Sequence, residues 1–286
     1  VGTWEVFEEE HMHAPTTATR IDFAAIKDKQ RAAWAAGNYG KMGTRVQLAG
    51  EELAEVMAVR PGSLVLDVAA GTGNVTLALA RRGARVVSTD YVESLLEQGR
   101  RRAEAEGLEV TFDVADAEAL PYDDGCFDAV ASTFGVMFAP DQARAAQELV
   151  RVTRPGGRIG LVSWTPDSFV GNLFRTVGHH VPPPAGLVSP TNWGRREWIA
   201  QHFDGKATHT AFRLKHFVFV DTSPRAFVDL FRTWYGPVHR AFASLDEAGQ
   251  QRLEQDMRAL IAEFDTGSDG TMRVASEYAE VVIDLA

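Results

Sequence analysis

The chain reads as an α/β protein of the Rossmann-like, doubly wound kind: a mostly parallel seven-stranded sheet with helices on both faces. Three observations predict it. Short β-branched runs alternate with helical patterns, the junctions carry glycine and proline, and three strand candidates end in or just before an aspartate at an equivalent position.

The strand candidates come in order: SLVLDV (63–68), ARVVSTD (84–90), EVTFDV (109–114), FDAVAST (127–133) and RIGLVSW (158–164). Between them TLALARRG and SLLEQGRRRAEAEG each end in a glycine suited to a helix C-terminus. The helix in DQARAAQELVRVTRPGG begins behind Pro140 and stops at Pro155, before Gly156 and Gly157. After Trp164 the pattern changes. VPPPAGLVSP is too rich in proline for a helix or central strand, and NWGRREWIAQHF follows as a short helix. THTAFRLKHFVFV (208–220) offers two strands joined near Leu214, and SPRAFVDLFRTWYGPVHRAF starts a helix with Ser223 as N-cap and Pro224 at its first position. SLDEAGQQRLEQDMRALIAEF is an amphipathic helix, and YAEVVIDLA supplies a last strand.

The predicted organisation is a single domain over residues 21–286, with an N-terminal helical cover at 21–58, a core at 60–165 and a cap formed by 166–205 and 223–265. Residues 1–20, acidic and polar with an HM pair ending at Met12, read as a flexible N-terminus or the remnant of an added tag.

Composition excludes several classes. A net charge of −10 without a basic stripe disfavours a nucleic-acid partner. No apolar window approaches the length of a membrane span. The one cysteine, Cys126, forms no internal disulfide and suits a reducing cytoplasm, while histidine and carboxylate spacings match no zinc motif.

Ligands of open α/β sheets sit beyond the carboxyl ends of the strands, where Asp67, Asp90 and Asp116 fall. Each alone also fits a solvated turn or a helix cap; together they define an acidic crevice. AAGTGN places Gly71 and Gly73 at the turn into the next helix, where a ligand meets bare main chain. Dinucleotide-binding turns look similar, but the third glycine position holds Thr76 and the loop carries no Lys or Arg. A diphosphate would face these carboxylates at a cost of about 3 kcal/mol per like-charge pair, taking about 5 Å and an effective dielectric of about 20. A nucleoside with a neutral ribose, an ammonium group and a second positive centre fits, which describes S-adenosylmethionine.

The same residues resemble the class I S-adenosylmethionine-dependent methyltransferases, in the branch with ubiquinone and menaquinone methyltransferases and many small-molecule enzymes. VLDVAAGTGNVTLALA is similar to the first motif, with Ala69 where glycine is commoner; VVSTDYV resembles the acidic second motif, DVADAEALPYDDGCFDAV the third, and LVRVTRPGGRIGLVSW the later strand and turn. The resemblance implies that Asp67 attracts the methionine ammonium and that Ala69, Gly71, Thr72 and Gly73 approach the cofactor. It further implies that Asp90 holds the ribose hydroxyls beside Tyr91, that Asp116 accepts from the adenine amino group, and that the Ala117 amide reads the ring. ASTFGVMF, with Thr133 and Phe134, falls at the methyl-transfer mouth. RAAWAAGNYGKMG resembles the segment that folds over the cofactor, so Trp34 and Tyr39 are candidates for covering it, with ordinary helix packing as the other reading.

The expected activity is methyl transfer from S-adenosylmethionine, leaving S-adenosylhomocysteine, to an O, N or C atom of an apolar or aromatic small molecule. The acceptor pocket is expected from Phe134, Met137, Phe169, Phe174, Trp193, Phe231, Trp234 and Tyr235, though aromatic residues at helical spacing also make plain core. If a base is needed, His179, His180 and His239 are the candidates. Two alternatives remain open: a catalytically silent S-adenosylmethionine binder and an NAD(P)-dependent oxidoreductase.

Overall fold

The computed structural model describes residues 21–286; the reading of residues 1–20 lies outside them. Seven strands form one mixed sheet in the order β3-β2-β1-β4-β5-β7-β6. β1 (Leu64–Val68), β2 (Arg85–Asp90), β3 (Val110–Val114), β4 (Phe127–Thr133) and β5 (Thr153–Trp164) run parallel. β7 (Met272–Leu285) inserts antiparallel between β5 and β6 (Ala207–Asp221). The predicted α/β class and seven-stranded sheet are those observed.

The central strands are apolar because helices cover both faces: Val65, Leu66 and Val130 are fully buried. α4 (Asn74–Arg81) follows β1, α5 (Glu93–Ala105) follows β2, and α6 (Gln142–Val152) leads into β5. The N-terminal segment forms α1 (Phe23–Ala35), the short α2 (Tyr39–Met42) and α3 (Gln47–Met57). α7 (Phe169–His180) and α8 (Arg196–Phe203) lie between β5 and β6. α9 (Pro224–Trp234), α10 (Gly236–Ser244) and α11 (Glu247–Phe264) lie between β6 and β7. Ser223 caps α9, its hydroxyl accepting from the Ala226 amide at 3.1 Å, and Pro224 is the first helical residue.

Three boundaries differ from expectation. Residues 207–221 form one edge strand rather than two, because no glycine, proline or asparagine interrupts them; Leu214 projects into solvent at 55% exposure instead of turning the chain. The last strand begins at Met272, not Tyr278, and pairs with β6 along its length. Pro155 and Gly156 lie inside β5 beside a register shift against β4, where an irregular strand entrance tolerates a residue without an amide hydrogen.

Candidate active site

The strand order reverses direction between β1 and β4, and the loops leaving their carboxyl ends open a cavity of about 200 Å³. Its floor is the turn after β1. Ala69 has φ +52°, Gly71 +58° and Gly73 +82°, so the main chain turns through the left-handed region and presents backbone instead of side chains. Phe134, leaving β4, has φ +53°. The two loops cross so closely that a Cβ on Gly135 would stand 2.1 Å from the Ala69 carbonyl oxygen.

Asp67 is fully buried at the end of β1. Its Oδ2 accepts from the Thr76 amide at 3.1 Å and from the Thr76 hydroxyl, while Oδ1 is buried without a partner among the described residues. Thr76 thus takes the position of the third dinucleotide glycine and anchors a carboxylate. Burial is the main reason the Asp67 carboxyl is pushed up to about 7, with the Thr76 bonds opposing and the Asp90 charge adding to the rise. Asp90, 5% exposed, receives the Gly71 amide on Oδ2 and the Val92 amide on Oδ1, both at 2.9 Å. Burial lifts its carboxyl to about 6 against those bonds. Arg102 holds the turn from behind: its guanidinium donates to the Thr72 carbonyl at 2.7 Å and to Asn74 Oδ1 at 3.0 Å. Asn74 in turn donates to the Gly43 carbonyl at 2.7 Å, tying the turn to the N-terminal segment.

Asp116 lies past β3, and here the structure adds a residue that sequence reasoning missed. Lys27 of α1 donates to Asp116 Oδ2 at 2.6 Å and sits 2.8 Å from Glu118 Oε2. Burial opposes its charge, but the two carboxylates outweigh burial and raise its pKa. Gln30 and Trp34 follow on the same helix face and line the same cavity. The periodicity of Lys27, Gln30 and Trp34 was the available signal, since residues three and four apart share a helix face. Arg45, also missed, lines the cavity with its guanidinium 2.9 Å from Asp221 Oδ2.

The structure brings Asp67, Ala69, Gly71, Thr72, Asp90, Tyr91, Asp116, Ala117, Thr133, Phe134, Trp34 and Tyr39 to this one cavity. Gly73 is not on its wall; it is the N-cap of α4, one residue behind the turn. Beyond Phe134 the cavity becomes aromatic. Phe134 stacks on Trp164 at 4.1 Å between centroids and 12° between planes, and Phe174, Phe219, Phe231 and Tyr235 complete the wall. Met137, Phe169 and Trp193, expected there, are instead fully buried core. Trp234, the last residue of α9, also lies off the cavity wall, its ring under the Lys41 ammonium at 4.4 Å.

None of the three histidine candidates lines the cavity. His179 is exposed and its Nδ1 lies 2.9 Å from the Arg175 carbonyl of its own helix; His180 Nε2 pairs with Asp256 of α11 at 2.7 Å. His239 Nδ1 lies 3.0 Å from the Arg232 carbonyl, closing the kink between α9 and α10. The first two sit in the last turn of α7, past the part of that helix that reaches the cavity. Among the described residues no cluster of histidine, cysteine and carboxylates could hold a metal, and no helix is long and apolar enough to cross a membrane.

The sequence pattern described as Methyltransferase domain matches residues 65–157, the segment carrying the turn after β1 and all three strand-end aspartates. An uncharacterized protein of Mycobacterium tuberculosis is 39% identical over 264 residues, which span 88% of this chain and 95% of that protein. A demethylmenaquinone methyltransferase of Thermus thermophilus is 40% identical over 141 residues, 48% of this chain and 64% of its own length. A crystal structure from Bacillus halodurans, described provisionally as a methyltransferase, superposes with a TM-score of 0.59 at 21% identity over 82% of this chain and 96% of that one, a likeness of fold. Residues 65–157 are a methyltransferase domain, and the chain is an S-adenosylmethionine-dependent methyltransferase. That assignment displaces the oxidoreductase reading, and the absence of a third glycine at Thr76 agrees with it.

Proposed function

We propose that this enzyme transfers a methyl group from S-adenosylmethionine to an O, N or C atom of an uncharged, apolar or aromatic small molecule. The observation that carries the reading is the continuity of one cavity from an acidic, glycine-floored end to an aromatic end.

The residues present fit the cofactor. Asp67 Oδ1 is an acceptor in need of a donor, and an ammonium group supplies one. Asp90 engages each oxygen once, leaving lone pairs for two ribose hydroxyls. Tyr91 and Ala117 flank the space beside Asp116, where an adenine would lie. When bound, S-adenosylmethionine supplies an electrophilic methyl on a sulfonium centre whose leaving group departs neutral.

The chain's own contribution is alignment and exclusion of water. Thr133 and Phe134 stand where the acidic and aromatic halves meet, and Trp34 and Tyr39 cover them from the N-terminal segment. The aromatic wall offers a flat acceptor apolar surface. With no histidine of the described residues on the wall, an acceptor arrives already nucleophilic or gives up its proton to solvent.

The test has two parts. S-adenosylhomocysteine should raise the melting temperature and NADH should not. Labelled methyl from S-adenosylmethionine should then appear in a neutral, organic-extractable product of a metabolite extract; saturable cofactor binding with no labelled product across a broad extract would refute the enzymatic reading.

A further inference from the structure

We infer that the Tyr235 hydroxyl is the group that recognises the acceptor, and that it selects a flat, non-anionic aromatic molecule carrying one hydrogen-bonding group at its edge. This rests on the methyltransferase reading and names what its acceptor side would take.

Tyr235 sits between α9 and α10, where the chain leaves helical geometry at ψ 105°. Both flanks of the kink are pinned: the Tyr235 amide donates to the Phe231 carbonyl at 3.1 Å, and the His239 amide donates to the Tyr235 carbonyl at 2.8 Å. His239 Nδ1, 3.0 Å from the Arg232 carbonyl, closes the same kink. The ring is held by Phe231 at 5.2 Å, Trp34 at 6.0 Å and Tyr39 at 6.3 Å between centroids. Its position is therefore fixed, while its hydroxyl has no hydrogen-bond partner among the described residues and is not sealed from the cavity that the residue lines.

The other ionisable groups on that wall are already engaged. Lys27 is paired with Asp116 and Glu118, and Arg45 with Asp221. The Tyr39 hydroxyl accepts from the Gly236 amide at 3.2 Å, and Asp90 holds Gly71 and Val92. Asp67 and Tyr91 belong to the acidic end with Asp90. In the aromatic half, among the described residues, Tyr235 alone combines a titratable hydroxyl with an open hydrogen-bonding site; Thr133 Oγ1, at the junction, is buried without a partner. Burial alone pushes the Tyr235 phenol far above its ordinary range, so it donates or accepts a hydrogen bond without ionising.

Charge selection follows from the four carboxylates on the wall, Asp67, Asp90, Asp116 and Glu118, against two cations that are both ion-paired. An anionic acceptor finds no free cation among the described residues of the wall. Flatness follows from the Phe134–Trp164 stack, which offers a planar face.

The experiment uses the full chain saturated with S-adenosylhomocysteine and three probes, 2-naphthol, 2-methylnaphthalene and 2-naphthoate, titrated calorimetrically against wild type and Tyr235→Phe. Wild type should bind 2-naphthol at least tenfold more tightly than 2-naphthoate. Tyr235→Phe should weaken 2-naphthol about fivefold, the size of one neutral hydrogen bond, and leave 2-methylnaphthalene unchanged. A purely structural role for the hydroxyl would weaken both neutral probes alike and overturns the inference, as does a variant that weakens neither. Wild type that binds S-adenosylhomocysteine but no naphthalene probe also overturns it while leaving the cofactor reading standing. Failure to bind S-adenosylhomocysteine overturns both.

Discussion

Asp67→Asn should move stability and cofactor affinity in opposite directions. Asp67 is fully buried, and its carboxyl ionises at about 7 in the free protein against 3.8 for an ordinary aspartate. Folding therefore favours its neutral form. The stability this contributes is fully present below pH 3.8 and is lost as pH rises through about 7. At about 1.4 kcal/mol per pH unit, the raised pKa costs the free protein up to about 4 kcal/mol at pH 8, where the folded group is ionised, and about 2 at pH 5, where it is held neutral. Asparagine keeps the acceptor oxygen for the Thr76 amide and hydroxyl and carries no charge.

The variant, free of ligand, should therefore be more stable than wild type in urea unfolding at pH 8, with the difference shrinking at pH 5. Its affinity for S-adenosylhomocysteine, measured calorimetrically, should fall about 10- to 100-fold with the loss of one charge-assisted hydrogen bond. Wild-type affinity should tighten between pH 5 and pH 8 as the Asp67 and Asp90 carboxyls, raised to about 7 and about 6, ionise; the variant's dependence should be shallower. A variant that is less stable at pH 8 and binds the ligand as wild type does would refute both the electrostatic account and the role given to Oδ1.

Gly135→Ala should remove activity and cost several kcal/mol, about 3 or more, because its Cβ would stand 2.1 Å from the Ala69 carbonyl and the loops after β1 and β4 must separate; thermal melting reads the loss. Ala69→Gly should be neutral or stabilise by up to about 1 kcal/mol, since φ +52° strains alanine but not glycine, and denaturant unfolding measures it. Lys27→Met should lower stability by about 1–3 kcal/mol by leaving Asp116 and the buried Glu118 carboxylate facing each other without a cation. S-adenosylhomocysteine should also leave that variant faster in stopped-flow displacement. Asp90→Ala should abolish detectable S-adenosylhomocysteine binding while the variant stays folded by circular dichroism, because Asp90 also holds the Gly71 amide of the turn.

The acidic half of the cavity was legible because its residues are local in sequence: one turn carries Asp67, Gly71 and Thr72, and two further strand ends supply Asp90 and Asp116. The aromatic half was not. Phe174, Phe231 and Tyr235, expected on the acceptor wall, line the cavity, whereas Met137, Phe169 and Trp193, expected there equally, are core. Phe169 and Phe174 occupy the same helix, and only the packing of α7 decides which one meets the cavity. Residues Trp164 and Phe219 read as ordinary strand residues; they line the cavity because β7 inserts antiparallel and brings β6 to the edge. The histidines failed for a related reason. Their proximity to proline and aromatic residues in the sequence placed them in the right segments, but helix phase turned them outward or onto backbone carbonyls.

The two halves are closed by one structure. Gly236, the first residue of α10, lies so near α1 that a Cβ there would stand 2.1 Å from the Ala33 carbonyl. The Asn38 amide donates to the Trp234 carbonyl at 3.0 Å, and the Gly236 amide donates to the Tyr39 hydroxyl at 3.2 Å. The segment that carries Trp34 and Tyr39 is therefore hydrogen-bonded to the very kink that presents Tyr235 to the aromatic end. The proposed methyl transfer would depend on the distance and angle between cofactor and acceptor, each held by its own half. Chain segments about 200 residues apart in sequence meet at Gly236 to set that geometry, with the Tyr39–Gly236 bond spanning 197 residues.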